Sequence, residues 1–171
     1  MSNYKWASLS AILLAGLCWG QAPSGVPEPT VMGSVFIVDQ ATQTLKQLPG
    51  EEWKRKTKTG LRGVESINVV HGEHSPLRIS SADKVAFVYH PFNSQEVAHV
   101  KLYAFTQVKG DRETVMGKTK GRNTEYNPSV PLDVTQFGAS SYKLTPRSPL
   151  SPGEYWVSTP GAGPIQTFGV D

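Results

Sequence analysis

Four residues near the middle of the chain, His71-Gly72-Glu73-His74, set two imidazoles and a carboxylate close together. Neutral imidazole and carboxylate oxygen suit zinc or another transition metal, so His71, Glu73 and His74 are the candidate metal ligands, for a metal-binding protein or a metal-dependent enzyme. The two histidines are three apart rather than the four that shares a helix face, and they follow a β-like run at 67–70, so a turn is expected here. His90 and His99 would add ligands only if the loop between them folded beside the first pair. The competing reading makes all four histidines surface or turn residues, and on that reading no cofactor is expected.

Other catalytic patterns fail on spacing. The stretch from Gly110 to Thr119 ends as a phosphate-binding loop does, but six residues separate Gly110 from Gly117 where the loop needs four, and no helical period follows. There is no Gly-x-Ser-x-Gly elbow to present a nucleophilic serine. Paired carboxylates for glycoside cleavage are set by the fold and not by spacing. Catalysis is thus left open, with the residues leaning against it and no catalytic residue assigned.

The basic run WKRKTKTGLR at 53–62 is the best contact surface in the chain. As a strand it would put Lys54, Lys56 and Lys58 on one face and Arg55, Thr57 and Thr59 on the other, which suits an edge strand or a loop. Lys54, Arg55, Lys56, Lys58 and Arg62 are therefore the candidate residues for an anionic polysaccharide or a membrane surface. The bland alternative is that the lysines protect a sheet edge from pairing with another molecule. Tyr103, Phe105 and Trp156 could form a sugar-stacking platform, although such aromatics more often belong to a core.

These residues must be carried by strands. The 13 prolines and 16 glycines interrupt every long helical candidate outside the first twenty residues, and turn signals recur about every ten residues from 34 onward. Period-2 alternation is clear at 84–89, where Val85, Phe87 and Tyr89 share a face. It recurs at 99–108, where Val100, Leu102, Ala104 and Val108 oppose Tyr103 and Phe105. The closing stretch predicts three strands, around Tyr142 and Leu144, at 154–158 and at 165–170. A short helical turn is expected at 93–99, a long loop at 118–131, and 51–63 gives little apolar signal. The expected fold is all-β, an immunoglobulin-like β-sandwich of about eight to ten strands, preceded by a helical signal peptide.

Residues 1–20 carry that signal: Lys5, then an apolar run from Trp6 to Trp19, shorter than the roughly 20 residues that span a bilayer. Cleavage after Gly20 or after Ala22 fits the small residues there, and Pro23 disfavours the second. The one cysteine, Cys18, sits where a lipid anchor would, but Leu17 before it disfavours lipidation. With the leader removed, no disulfide or thiol chemistry is available. Residues 21–33 (QAPSGVPEPTVMG) have the composition of a tether, and 34–171 form one domain. The net charge of +3, one cation of which is Lys5 in the leader, is too mild to demand nucleic acid. No transmembrane span is expected in the mature protein.

The segments GVESINVVHGEHSPLRI, KVAFVYH, KLYAF, the arginine of GDRET, and SYKLTPRSPLSPGEYWV followed by TFGVD together resemble a family of uncharacterised exported bacterial proteins. Its members share a Gly-Glu-Tyr strand near the end and a Phe-Gly-Val-Asp terminus. The resemblance covers about 35–171 and implies a compact exported β-sandwich with no assigned reaction and no functional residues to carry across. The expected function is an exported non-catalytic binding or structural module of the bacterial envelope, in the periplasm, on the surface or outside the cell. An envelope protein or an anionic polysaccharide is the partner class to test.

Overall fold

The computed structural model describes residues 26–39, 42–61, 63–80, 84–161 and 163–171. The expected leader with Cys18, the first part of the Pro/Gly-rich segment, and Arg62 lie outside the described residues. In chain order the strands are β1 (Val35–Asp39), β2 (Thr44–Gln47), β3 (Gly50–Glu51), β4 (Trp53–Gly60), β5 (Gly63–His71), β6 (Arg78–Ile79), β7 (Phe87–Tyr89), β8 (Lys101–Ala104), β9 (Thr106–Val108), β10 (Asp111–Lys120), β11 (Asn123–Tyr126), β12 (Leu132–Phe137), β13 (Ser141–Pro146), β14 (Gly153–Ser158) and β15 (Ile165–Val170). A short 3-10 helix, Ser94–His99, is capped by Asn93, whose side chain accepts from the Gln95 amide.

The protein is all-β, with three sheets. A front sheet runs β12-β13-β7-β1-β2, a middle sheet β3-β15-β14-β8, and a back sheet β11-β10-β5-β4. Every pairing among them is antiparallel except the short parallel contact of β6 with β15. The strands outnumber the eight to ten expected for two physical reasons. The run at 99–108 changes sheets at Phe105, so that β8 pairs with β14 while β9 pairs with β10. The expected loop at 118–131 instead carries the end of β10, which turns through Gly121 into β11, with Lys120 opposite Asn123.

Alternation along β14 explains how one sheet serves two cores. Tyr155 and Val157 face the front sheet and join Val35, Ile37, Phe87, Tyr89, Leu102, Leu144 and Phe168 in the main core. Trp156 faces the opposite way and packs with Ile165, Val70, Trp53, Tyr103, Phe105 and Met116 between the middle and back sheets. Being covered on both sides, β15 is buried at all six positions, so its polar residues need partners. Gln166 accepts from the Val35 amide and donates to the Gly33 carbonyl at 3.2 Å, and Thr167 bonds Ser75 at 2.9 Å. Phe168 is fully buried, its ring 5.1 Å from Phe87 and 5.4 Å from Tyr155, a burial that stabilises by about 1.5–3 kcal/mol.

The described end of the Pro/Gly-rich segment lies against the front sheet. Val26 packs on Val88 and Phe137. The Glu28 carboxylate accepts from the amides of Ser140 and Ser141, both at 2.9 Å, and these backbone donors, Ser140 foremost, hold its pKa below the usual glutamate value. Among the described residues no helix is long and apolar enough to cross a membrane.

Candidate functional site

The basic strand β4 occupies one edge of the back sheet, where β5 is its ladder partner. Its alternation splits the cluster. Lys54, Lys56 and Lys58 share one face, and Arg55 lies on the other with Trp53, Thr57 and Thr59. On the lysine face part of the charge is matched by neighbouring strands. Lys56 and Lys58 reach the two oxygens of Glu113 at 3.3 and 3.2 Å, and Lys118 meets Glu65 at 2.9 Å. Burial pushes the Glu113 pKa up, but the hydrogen bonds and charges of Lys58 and Lys56 together outweigh it and hold the group below the ordinary range.

The histidines do not converge. His71 Nδ1 lies 2.9 Å from Asp111, whereas His74 Nδ1 lies 3.1 Å from Glu154. Glu73 offers its backbone carbonyl to Gln107 at 2.8 Å. Among the described residues no group of three His, Cys, Asp or Glu side chains is arranged to hold a metal ion. The Glu154 oxygen that faces His74 also accepts from the Arg78 guanidinium, a cation where a metal would need an open lone pair.

Glu154 belongs instead to a buried ion network that joins the sheets. Arg112 of β10 is fully buried and donates to both oxygens of Glu51 on β3, at 2.9 and 2.7 Å. It also donates to the carbonyls of Gly72 and His71, and its guanidinium lies over the Phe105 ring. Glu51 accepts from Thr167, and Glu154 from the Ser75 amide at 2.8 Å. Every charge here has partners, which is the arrangement expected of a structural network.

The other face of β4 opens onto a cleft of about 570 Å³ where the base of the back sheet meets the ends of β14 and β15. Trp53, Arg55, Asn68, Met116 and Trp156 form its floor, and residues 158–161 with Gly163 and Pro164 one wall. Trp53 is held by its indole N–H, which donates to the Gly163 carbonyl at 3.3 Å, and the Arg55 guanidinium lies 5.5 Å above its ring centre. Arg55 makes no ion pair among the described residues. Asn68, paired across the sheet with Arg55 and Thr114, is only 3% exposed, yet its side-chain oxygen has no hydrogen-bond partner among the described residues. Thr114 in the same row does have one, the Ala104 carbonyl at 3.1 Å. On the rim, Phe92 is 64% exposed and Met32 48%.

No family model, curated protein or solved structure matches this chain.

Trp156, a candidate for a sugar platform, is buried with its ring 5.3 Å from Tyr103 and 6.3 Å from Phe105, so it lends the cleft an edge rather than an open face. Arg55 and Trp53 lie within the basic run that the sequence singles out. Asn68 was not singled out. The signal for it is a polar residue inside the apolar run INVV, where a carboxamide must find a partner or leave one unmade.

Proposed function

We propose that this protein is an exported, non-catalytic binding module of the bacterial envelope, with its ligand seated in the cleft of Trp53, Arg55 and Asn68. In this reading the front and middle sheets make an immunoglobulin-like sandwich, the back sheet is an addition that walls the site, and residues 1–20 direct export. The observation that carries it is Arg55, which lines the cleft over the Trp53 ring and makes no ion pair among the described residues. Asn68, its neighbour on β5, adds a carboxamide to the lining. The described lining residues include no carboxylate or imidazole, so the cleft is equipped to bind more than to transfer protons. The motif resemblance to exported bacterial proteins supports the setting.

Tryptophan fluorescence tests the reading. Wild type and the variants Arg55→Gln and Asn68→Leu would be titrated with short acidic saccharides, neutral saccharides, peptides and anionic lipid vesicles. At least one class is expected to bind, with affinity falling about tenfold in either variant, equivalent to 1.4 kcal/mol. Binding unaffected by both substitutions, or no binding by any class, would overturn it.

A further inference from the structure

Beyond the cleft, the same face of the back sheet continues as two rows of small hydroxylic residues. Register places Thr57, Ser66, Gly117 and Tyr126 in one row and Thr59, Val64, Thr119 and Thr124 in the next. This face is not a core face. Thr57, Thr59 and Thr124 are exposed, and Tyr126 is 80% exposed. Gly117 keeps the floor shallow beside the Tyr126 ring, and the β-bulge at Met116 turns that longer side chain into the cleft. Tyr126 ends the nearer row, three strand spacings or roughly 14 Å across the sheet from Thr57, room for a short run of sugar rings.

Resting on the reading of the cleft as a binding site, we infer that the ligand is a saccharide chain bearing carboxylates, a polyuronate, lying from the cleft across the row of Thr57 and Ser66 to Tyr126. Three features select it. Among the described lining residues the one charged side chain is Arg55, which makes no ion pair with any described residue and whose planar fork matches a carboxylate. The Asn68 carboxamide in the lining is of the chemistry that exchanges hydrogen bonds with sugar hydroxyls. Phe92 at the cleft and Tyr126 at the end of the nearer row are large exposed aromatics, of the kind on which the C–H face of a ring packs. Thr57 and Ser66, in the row that leads to Tyr126, exchange hydrogen bonds with sugar hydroxyls and carry no charge. The lysine face plays no part, since it lies on the other side of the sheet from Trp53 and Arg55, where Lys56, Lys58 and Lys118 engage Glu113 and Glu65.

The test uses short oligomers of galacturonate, mannuronate and glucuronate, their methyl esters, and a peptide panel, with the full-length protein. At least one uronate should bind, and its ester at least tenfold more weakly. Arg55→Gln should erase that difference, while Lys56→Met with Lys58→Met should leave it. Tyr126→Ala should weaken long oligomers severalfold and leave the shortest unchanged. Equal affinity for acid and ester, or an undiminished affinity for long oligomers in Tyr126→Ala, would overturn the inference. So would binding in the cleft by peptides with none by uronates, which leaves the cleft a binding site. Absence of binding by every probe class would instead remove both.

Discussion

Arg112 and Glu51 face each other fork to fork, with N–O distances of 2.9 and 2.7 Å, and so tie the back sheet to the middle sheet through a fully buried guanidinium. Arg112→Ala leaves the Glu51 carboxylate without its cation and is expected to cost about 3–5 kcal/mol in urea denaturation. The double variant Arg112→Met with Glu51→Gln removes both charges and should recover most of that. A double variant as unstable as Arg112→Ala would mean that packing, and not the stranded charge, sets the cost.

Asn68→Leu should do two opposite things. It removes a buried oxygen that lacks a partner among the described residues, so the protein is expected to gain about 1–2 kcal/mol of stability, and it removes the carboxamide from the cleft lining, so ligand affinity falls. Thermal melting and titration on one preparation check both. A destabilised variant would show that the amide is satisfied in solution.

At Gly169 an added Cβ would collide with the Arg78 guanidinium, which lies across β15 to reach Glu154 and Asp171. Gly169→Ala is expected to cost about 1–3 kcal/mol, the range for overpacking. Combined with Arg78→Ala, the loss should be smaller than the sum of the two single losses. Strict additivity would show that the two residues do not share the space.

Glu113 supplies an acid-sensitive contribution to stability. Its folded pKa lies below the usual value of 4.5, so the contribution is present above that value and is lost as pH falls through the folded one. With Lys56 and Lys58 both changed to methionine, the fall in stability between about pH 5 and pH 3 should be shallower than in wild type. Chemical denaturation at a series of pH values measures the slope, and parallel slopes would refute the assignment.

Ending the chain at Gly163 removes β15, which pairs with β14, β3 and β6 and contributes Phe168 and Val170 to the main core. The expected product is an unfolded chain by circular dichroism. A cooperative melt would show the closing strand to be dispensable.

Much of the strand layout was legible because period-2 alternation is local: Phe87 and Tyr89 oppose Val88, Leu102 opposes Tyr103, and Lys54, Lys56 and Lys58 oppose Arg55, all readable along a single strand. The same local chemistry limited β4 to an edge strand or a loop, since neither of its faces is apolar, and only the pairing with β5 decided between them. Three facts depended on which strands met. The back sheet covers the outer face of the middle sheet, so β15 is buried throughout and Glu51, Arg112 and Thr167 meet across more than fifty residues of chain. Glu113 sits beneath Lys56 and Lys58 and turns a basic patch into a partly compensated one. Asn68 lines a cleft and has a buried oxygen with no partner among the described residues, a position created by the register of β5 between β4 and β10. Alternation records which way a side chain points, whereas its neighbour on the next strand is fixed only when distant segments pair.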